Sequence, residues 1–79
     1  MHRVSVVIPA LNEAGNLPHV LPLIPRGVHE VILVDGQSTD GTATVAREML
    51  PGIRIVQQQG PGKGSALRTG FSAATGEII

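Results

Sequence analysis

"VILVDGQSTDGT", Val31 to Thr42, is the stretch on which the fold of this chain turns. Val31 to Val34 is an apolar run without alternation, the pattern of a strand covered on both faces rather than one. It ends abruptly in Asp35, Gly36, Ser38, Thr39, Asp40 and Gly41, residue types that turn a chain and start a helix. A fully buried strand that passes straight into a helix is the repeating unit of a parallel α/β sheet.

The same unit recurs on either side. Val4 to Ile8 and Ile53 to Val56, the latter broken only by Arg54, read as two more buried strands. Helical stretches are expected at roughly Leu17 to Ile24, Thr42 to Leu50 and Lys63 to Thr75. Strand and helix alternate throughout, so the expected fold is α/β, a parallel sheet with right-handed crossovers, three strands and three helices. Glu77-Ile78-Ile79 reads as the start of a fourth strand. Pro18 is tolerated in a first turn after an Asn16 cap, but Pro22 removes an interior hydrogen bond, so the first helix should be short or distorted and end before Pro25. Side-chain oxygens within Ser38 to Asp40 are expected to cap the second helix, which stops at Pro51-Gly52. The third carries a stripe of Ala66, Leu67, Gly70, Phe71 and Ala74, with Gly76 as the expected C-terminal cap.

Composition narrows the function classes. The chain has 79 residues, six basic and six acidic side chains, one aromatic residue (Phe71) and no cysteine. One small domain of zero formal net charge follows, spanning 1–79. Six scattered cations make no phosphate-tracking stripe, and one aromatic makes no base-stacking platform, so no nucleic-acid partner is expected. Without cysteine there is no disulfide framework and no thiolate zinc site, which fits a cytoplasmic protein. Val4 to Leu11 is interrupted by Pro9, then Asn12 and Glu13, too early for a signal peptide, and no run approaches the roughly 18 apolar residues of a membrane span.

In a parallel sheet every strand-to-helix loop leaves at the carboxyl edge, where open α/β sheets bind ligands. Pro9 to Glu13, Asp35 to Gly41 and Gln57 to Lys63 should therefore converge, while the opposite edge, with Gly27 to Glu30 and Leu50 to Gly52, looks plainer. Asp35, directly after a buried strand, is suited to accept from a base N–H or ribose hydroxyls. Ser38, Thr39 and Asp40 are equally the residues of an ordinary turn and cap, and Asn12-Glu13 equally a helix start, although Pro9 aims Glu13 over the ligand edge. "GPGKGSALRTG", Gly60 to Gly70, fits neither common phosphate motif. A Walker loop needs glycine where Gln57 stands and Ser or Thr where Gly64 stands, and the dinucleotide fingerprint meets Ser65 or Leu67 at its last glycine. What remains is a flexible loop entering a helix with Lys63 and Arg68, either an anion site or a solvated basic surface. Acidic and amide groups beside cations suit a nucleotide.

"VSVVIPALNEAGNL", "VILVDGQSTDGT" and "GKGSALRTGFSAATGEII" resemble three consecutive N-terminal blocks of the family 2 glycosyltransferases, in order and spacing, over nearly the whole chain. The resemblance is strongest to the branch with dolichyl-phosphate mannosyltransferases. It implies the Rossmann-like, nucleotide-binding half of a GT-A fold and inverting transfer from a nucleoside-diphosphate sugar, a GDP- or UDP-hexose. It implies donor contacts at Pro9, Ala10 and Glu13 for the nucleoside, Asp35 for the base, and Lys63 and Arg68 beside the phosphates. It further implies a polyprenyl phosphate acceptor, and a full-length parent working at the cytoplasmic face of a membrane.

Two departures stand out. Gly36 replaces a second aspartate that many relatives carry. The Asp-x-Asp motif that holds a divalent cation, Mg or Mn, and the later catalytic base find no counterpart, so the chain reads as a segment cut before that motif, with no catalytic residue or metal ligand of its own and inactive alone. Two other readings stay open. A sugar nucleotidyltransferase would place a cationic glycine-rich loop after the first strand, where Pro9 to Gly15 has no cation. A non-catalytic nucleotide-binding or structural fragment, paired with other copies through an exposed sheet edge, is suggested by a chain this small, which buries only about 60% of its unfolded surface.

Overall fold

The computed structural model describes residues 3–78. Four strands, β1 (Val4–Ala10), β2 (Glu30–Asp35), β3 (Arg54–Gln57) and β4 (Glu77–Ile78), form one parallel sheet in the order β3-β2-β1-β4. Helices α1 (Leu17–Val20), α2 (Thr42–Met49) and α3 (Gly62–Ala73) fill the connections. The expected α/β alternation is present in full; of the expected fourth strand, Ile79 lies outside the described residues.

β2 is buried on both sides, as its unbroken apolar run requires. Ile32, Leu33 and Val34 have no exposed surface. Val31 and Leu33 pack with Leu17, Leu21, Ala46 and Ile53 on one face. Ile32 and Val34 pack with Ala66, Val7 and Val56 on the other, under α3. β1 extends through Pro9, which a strand interior normally rejects. Ala10 turns its carbonyl to β2, where it accepts from the Gly36 amide at 2.9 Å. Pro9, one residue earlier, therefore turns its missing N–H to the β4 side, where the described residues of β4 pair with Val4 and Ser5. The missing N–H thus costs no ladder bond among the described residues.

The proline-broken first helix is confirmed: α1 has four residues and passes into a 3-10 turn, Leu21–Leu23, around Pro22. Two capping expectations are corrected. Asn16 does not cap α1 with its side chain; its Nδ2 donates to the Glu13 carboxylate at 2.6 Å. Gly76 is not the cap of α3. The helix ends at Ala74, already extended (φ −71, ψ 141), because the chain must turn at once into β4. Gly76 is needed for a different reason: an added Cβ would stand 2.6 Å from the Arg3 carbonyl oxygen.

The amino-terminal edge is not plain, which is a further correction. Oε2 of Glu30 accepts from the Ser5 hydroxyl (2.7 Å), the Thr75 amide (2.6 Å) and the Thr75 hydroxyl (2.8 Å). Its Oε1 accepts from Arg54 Nη1 at 2.8 Å. Ser5 Oγ in turn accepts from the Gly76 amide at 2.9 Å. One carboxylate thus ties β1, β2, β3 and the turn into β4 together, with its side chain only 10% exposed. The Ser5 hydroxyl first, then the Thr75 amide and Arg54, hold the Glu30 carboxyl far below the usual carboxylate range.

Two predictions follow from packing and charge. Gly70 lets α3 lie close on the sheet, since an added Cβ would meet Val7 Cγ1 at 2.3 Å and Val34 Cγ2 at 3.0 Å. Both partners are stiff β-branched side chains. Gly70→Ala should therefore lower stability by about 1–3 kcal/mol through overpacking, outweighing the roughly 0.5–1 kcal/mol that alanine gains in a helix. Gly64→Ala, whose Cβ meets only Arg68 Nη1 at 3.5 Å, should be neutral or stabilising; urea midpoints of the two variants decide the matter. For Glu30, a folded pKa below the unfolded value contributes stability that is present above about pH 4.3 and is lost as pH falls further. The urea midpoint of the unaltered chain should drop more steeply between about pH 5 and pH 3 than that of Glu30→Gln, whereas parallel curves would show that the Glu30 bonds contribute nothing to folding.

Candidate functional site

Register brings the three loops to one line. Ala10 pairs with Asp35, and Asp35 with Gln57, so β1, β2 and β3 end level. The first two loops are then sewn together by side chains. The Asn12 amide donates to Ser38 Oγ at 2.8 Å, and the Thr39 amide to Asn12 Oδ1 at 2.8 Å. The Glu13 amide donates to Thr42 Oγ1 at 3.0 Å, and the Ala14 amide to Asp40 Oδ2 at 3.1 Å. Asn12 and Gln37 adopt left-handed φ of 54° and 67° to make this clasp, a conformation uncommon for residues other than glycine.

Ser38 and Thr39 are therefore loop-to-loop ties, and of the expected helix-capping residues only Asp40 bonds to α2, accepting from the Thr42 amide at 3.0 Å. Asp40 also accepts a short bond from the Thr42 hydroxyl. That hydroxyl first, then the Ala14 and Thr42 amides, lower the Asp40 carboxyl below its ordinary value.

Between the loops lies an open cleft of about 860 Å³. Of the residues read as site candidates, Pro9, Ala10, Glu13 and Lys63 line it. Asp35 does not. It is buried, 6% exposed, with Oδ1 accepting from the Ser38 amide at 3.2 Å and Oδ2 from Gln57 Nε2 at 3.3 Å. Arg68 is also outside the lining, and its Nη2 donates to Ser65 Oγ at 3.2 Å. Leu11, Gly36, Gln37 and Gln58 line the cleft without having been singled out as contacts; only the departure at Gly36 and the polar run Gln57-Gln58-Gln59 hinted at them.

The cleft is chemically two-ended. Glu13 and the backbone of Pro9 and Ala10 offer acceptors on one side. On the other, Lys63 lies in the first turn of α3, whose leading amides receive no side-chain cap, so positive potential collects there. Among the described residues no three His, Cys, Asp or Glu side chains gather to hold a metal ion, so these residues alone do not fit a divalent cation. No described helix is long and apolar enough to cross a membrane. At the amino-terminal edge a second hollow of about 350 Å³, lined by Leu21, Ile24, Val28 and Leu50 among others, is separate from this cleft.

The chain is similar in sequence and fold to known proteins. An uncharacterized glycosyltransferase of Mycobacterium tuberculosis strain H37Rv is 47% identical over 76 residues, 96% of this chain and 34% of that protein. Glucosyl-3-phosphoglycerate synthase of the same organism is 36% identical over 88 aligned positions, 96% of this chain and 26% of the enzyme. A crystal structure of that synthase with Mn2+, UDP and glucosyl-3-phosphoglycerate superposes with a TM-score of 0.75 at 33% identity, over 99% of this chain and 33% of that one. Mannosyl-3-phosphoglycerate synthase from Rubrobacter xylanophilus superposes with a TM-score of 0.84 at 25% identity, over 98% and 29% of the two chains. The chain thus spans about a quarter to a third of the length of the curated relatives it matches. The fold is the GT-A type of these transferases, and the match decides against a sugar nucleotidyltransferase. With residues 5–79 matching the family described as Glycosyl transferase family 2, the chain belongs to that family.

Proposed function

We propose that the protein transfers a hexose from a UDP-sugar to a hydroxyl acceptor with inversion, and that the cleft at the carboxyl edge of the sheet holds the UDP part. The observation that carries this reading is the pairing, within one cleft, of Glu13 and the Pro9–Ala10 backbone with Lys63 at an uncapped helix start. A nucleoside has donors for the first and a diphosphate has charge for the second. Asp35, buried and outside the lining, reaches the base only where the loop at Gly36 opens; two of its roughly four acceptor positions are already taken. Lys63 is the main phosphate contact; Arg68 joins it only by leaving Ser65.

UDP is preferred to GDP, and a small phosphorylated acceptor to a polyprenyl phosphate. The support is glucosyl-3-phosphoglycerate synthase of M. tuberculosis, crystallised with Mn2+, UDP-glucose and glycerol 3-phosphate. The reading favours the phosphoglycerate synthase side of the family over the dolichyl-phosphate mannosyltransferase side, and a cytoplasmic reaction. A divalent cation, when bound, would offset charge on the departing diphosphate. The share of the reaction assigned to residues 1–79 is donor binding, with the metal ligands and the base for the acceptor hydroxyl lying outside them.

Titrating the protein with UDP and with GDP tests the proposal. UDP should bind more tightly than GDP and shift amide resonances in 9–13, 35–37 and 58–63. Lys63→Ala should weaken UDP by about tenfold, the scale of one charge-assisted contact, while Lys63→Arg retains most of the affinity. Equal or tighter binding of GDP would overturn the choice of base, and no shifts at millimolar UDP would overturn the cleft assignment.

A further inference from the structure

We propose that Gln58 is a positioning residue that braces the glycine-rich turn before α3, and that the missing side chain at Gly36 is what makes room for it. Gln58 begins from a fixed point, because its backbone amide donates to the Asp35 carbonyl at 2.9 Å. Its side-chain Nε2 then donates to two backbone carbonyls, Gly60 at 2.8 Å and Gly62 at 3.0 Å. Only the nitrogen end of the amide can serve two carbonyls, so chemistry sets the orientation of the group.

Those carbonyls flank Pro61 in a turn whose other tie to α3 comes just before it, where the Gln59 amide donates to Thr69 Oγ1 at 2.9 Å. Gly60 and Gly62 both have left-handed φ, 93° and 83°, a conformation glycine enters and leaves freely. Two bonds from one planar amide fix both residues at once, and with them the start of α3 and Lys63.

The other end of the amide explains Gly36. An added Cβ at residue 36 would stand 3.1 Å from Gln58 Oε1, 3.5 Å from the Ala10 carbonyl oxygen and 3.7 Å from Leu11 Cβ. The backbone and Leu11 close two sides, so the amide is the part that must move. Because it is planar, displacing Oε1 also tilts Nε2 and weakens its bonds to the two acceptors. Gly36 and Gln58 thus form a coupled pair, in which a side chain at 36 presses on Oε1 and makes the amide give by a few tenths of an ångström.

The consequence for ligand binding rests on the UDP reading above; the brace itself does not. The test measures amide hydrogen exchange across Gly60 to Gly64, together with UDP affinity, for the protein, Gln58→Ala, Gly36→Ala and the double variant. Exchange at Ile32 to Val34, in the buried strand, reports an intact fold. Gln58→Ala should speed exchange in the turn and weaken UDP on the order of tenfold, the scale of two lost hydrogen bonds. Gly36→Ala should speed exchange in the turn by a smaller factor alone and add little to Gln58→Ala, because the close contact then has no partner. Unchanged exchange in Gln58→Ala, or additive effects of the two substitutions, would overturn the pairing. Faster exchange with unaltered UDP affinity would overturn the link to the ligand. If the turn loosens as expected but no form of the protein binds UDP, the brace stands and the donor reading fails.

Discussion

Everything at the carboxyl edge depends on the level ending of three parallel strands. Ala10, Asp35 and Gln57 stand side by side, and the ladder continues one bond further on each side, from the Gly36 amide to Ala10 and from the Gln58 amide to Asp35. Three loops therefore leave from one line. Their short polar side chains can reach each other only because of that, and the Asn12–Ser38–Thr39 clasp is the result. A slip of one residue in β2 would exchange its two buried faces and separate Ala10 from Asp35.

The two edges of the sheet divide the work. At the amino-terminal edge Glu30 collects bonds from Ser5, Arg54 and Thr75, closing the structure around a single carboxylate. At the carboxyl edge the comparable polar groups bond the loops to each other and leave a cleft between them. Glycine is used for close approach in both regions: Gly76 under the Arg3 carbonyl, Gly70 against Val7, and Gly36 beside Gln58. These are packing demands of the folded chain, distinct from the turn-making roles of Gly60 and Gly62.

Much of this was legible in the sequence. The unbroken run Val31 to Val34 announced a strand covered on both faces, and Pro22 announced a broken first helix. The three-block pattern pointed to the family. What escaped reading was long-range or degenerate. Glu30 meets Ser5 and Thr75, 25 and 45 residues away, and nothing local marks a glutamate for such partners. Ser38 and Thr39 are residue types that cap helices and tie loops equally well. Arg68 fell outside the cleft for a geometric reason: five residues beyond Lys63 places it about 140° around the helix from the lysine. Asp35 was correctly placed at the edge, but one residue of glycine separates it from the cleft surface.

The central claim is that the cleft between the three loops, rather than any other hollow, receives the nucleotide. Photo-crosslinking with a 5-azido derivative of UDP, followed by mass spectrometry of the labelled peptides, tests it directly. Label confined to 9–13, 36–37 and 58–63, and displaced by unmodified UDP, is the predicted result. Displaceable label concentrated instead at the amino-terminal hollow, on 24–30 and 50–52, would contradict the account.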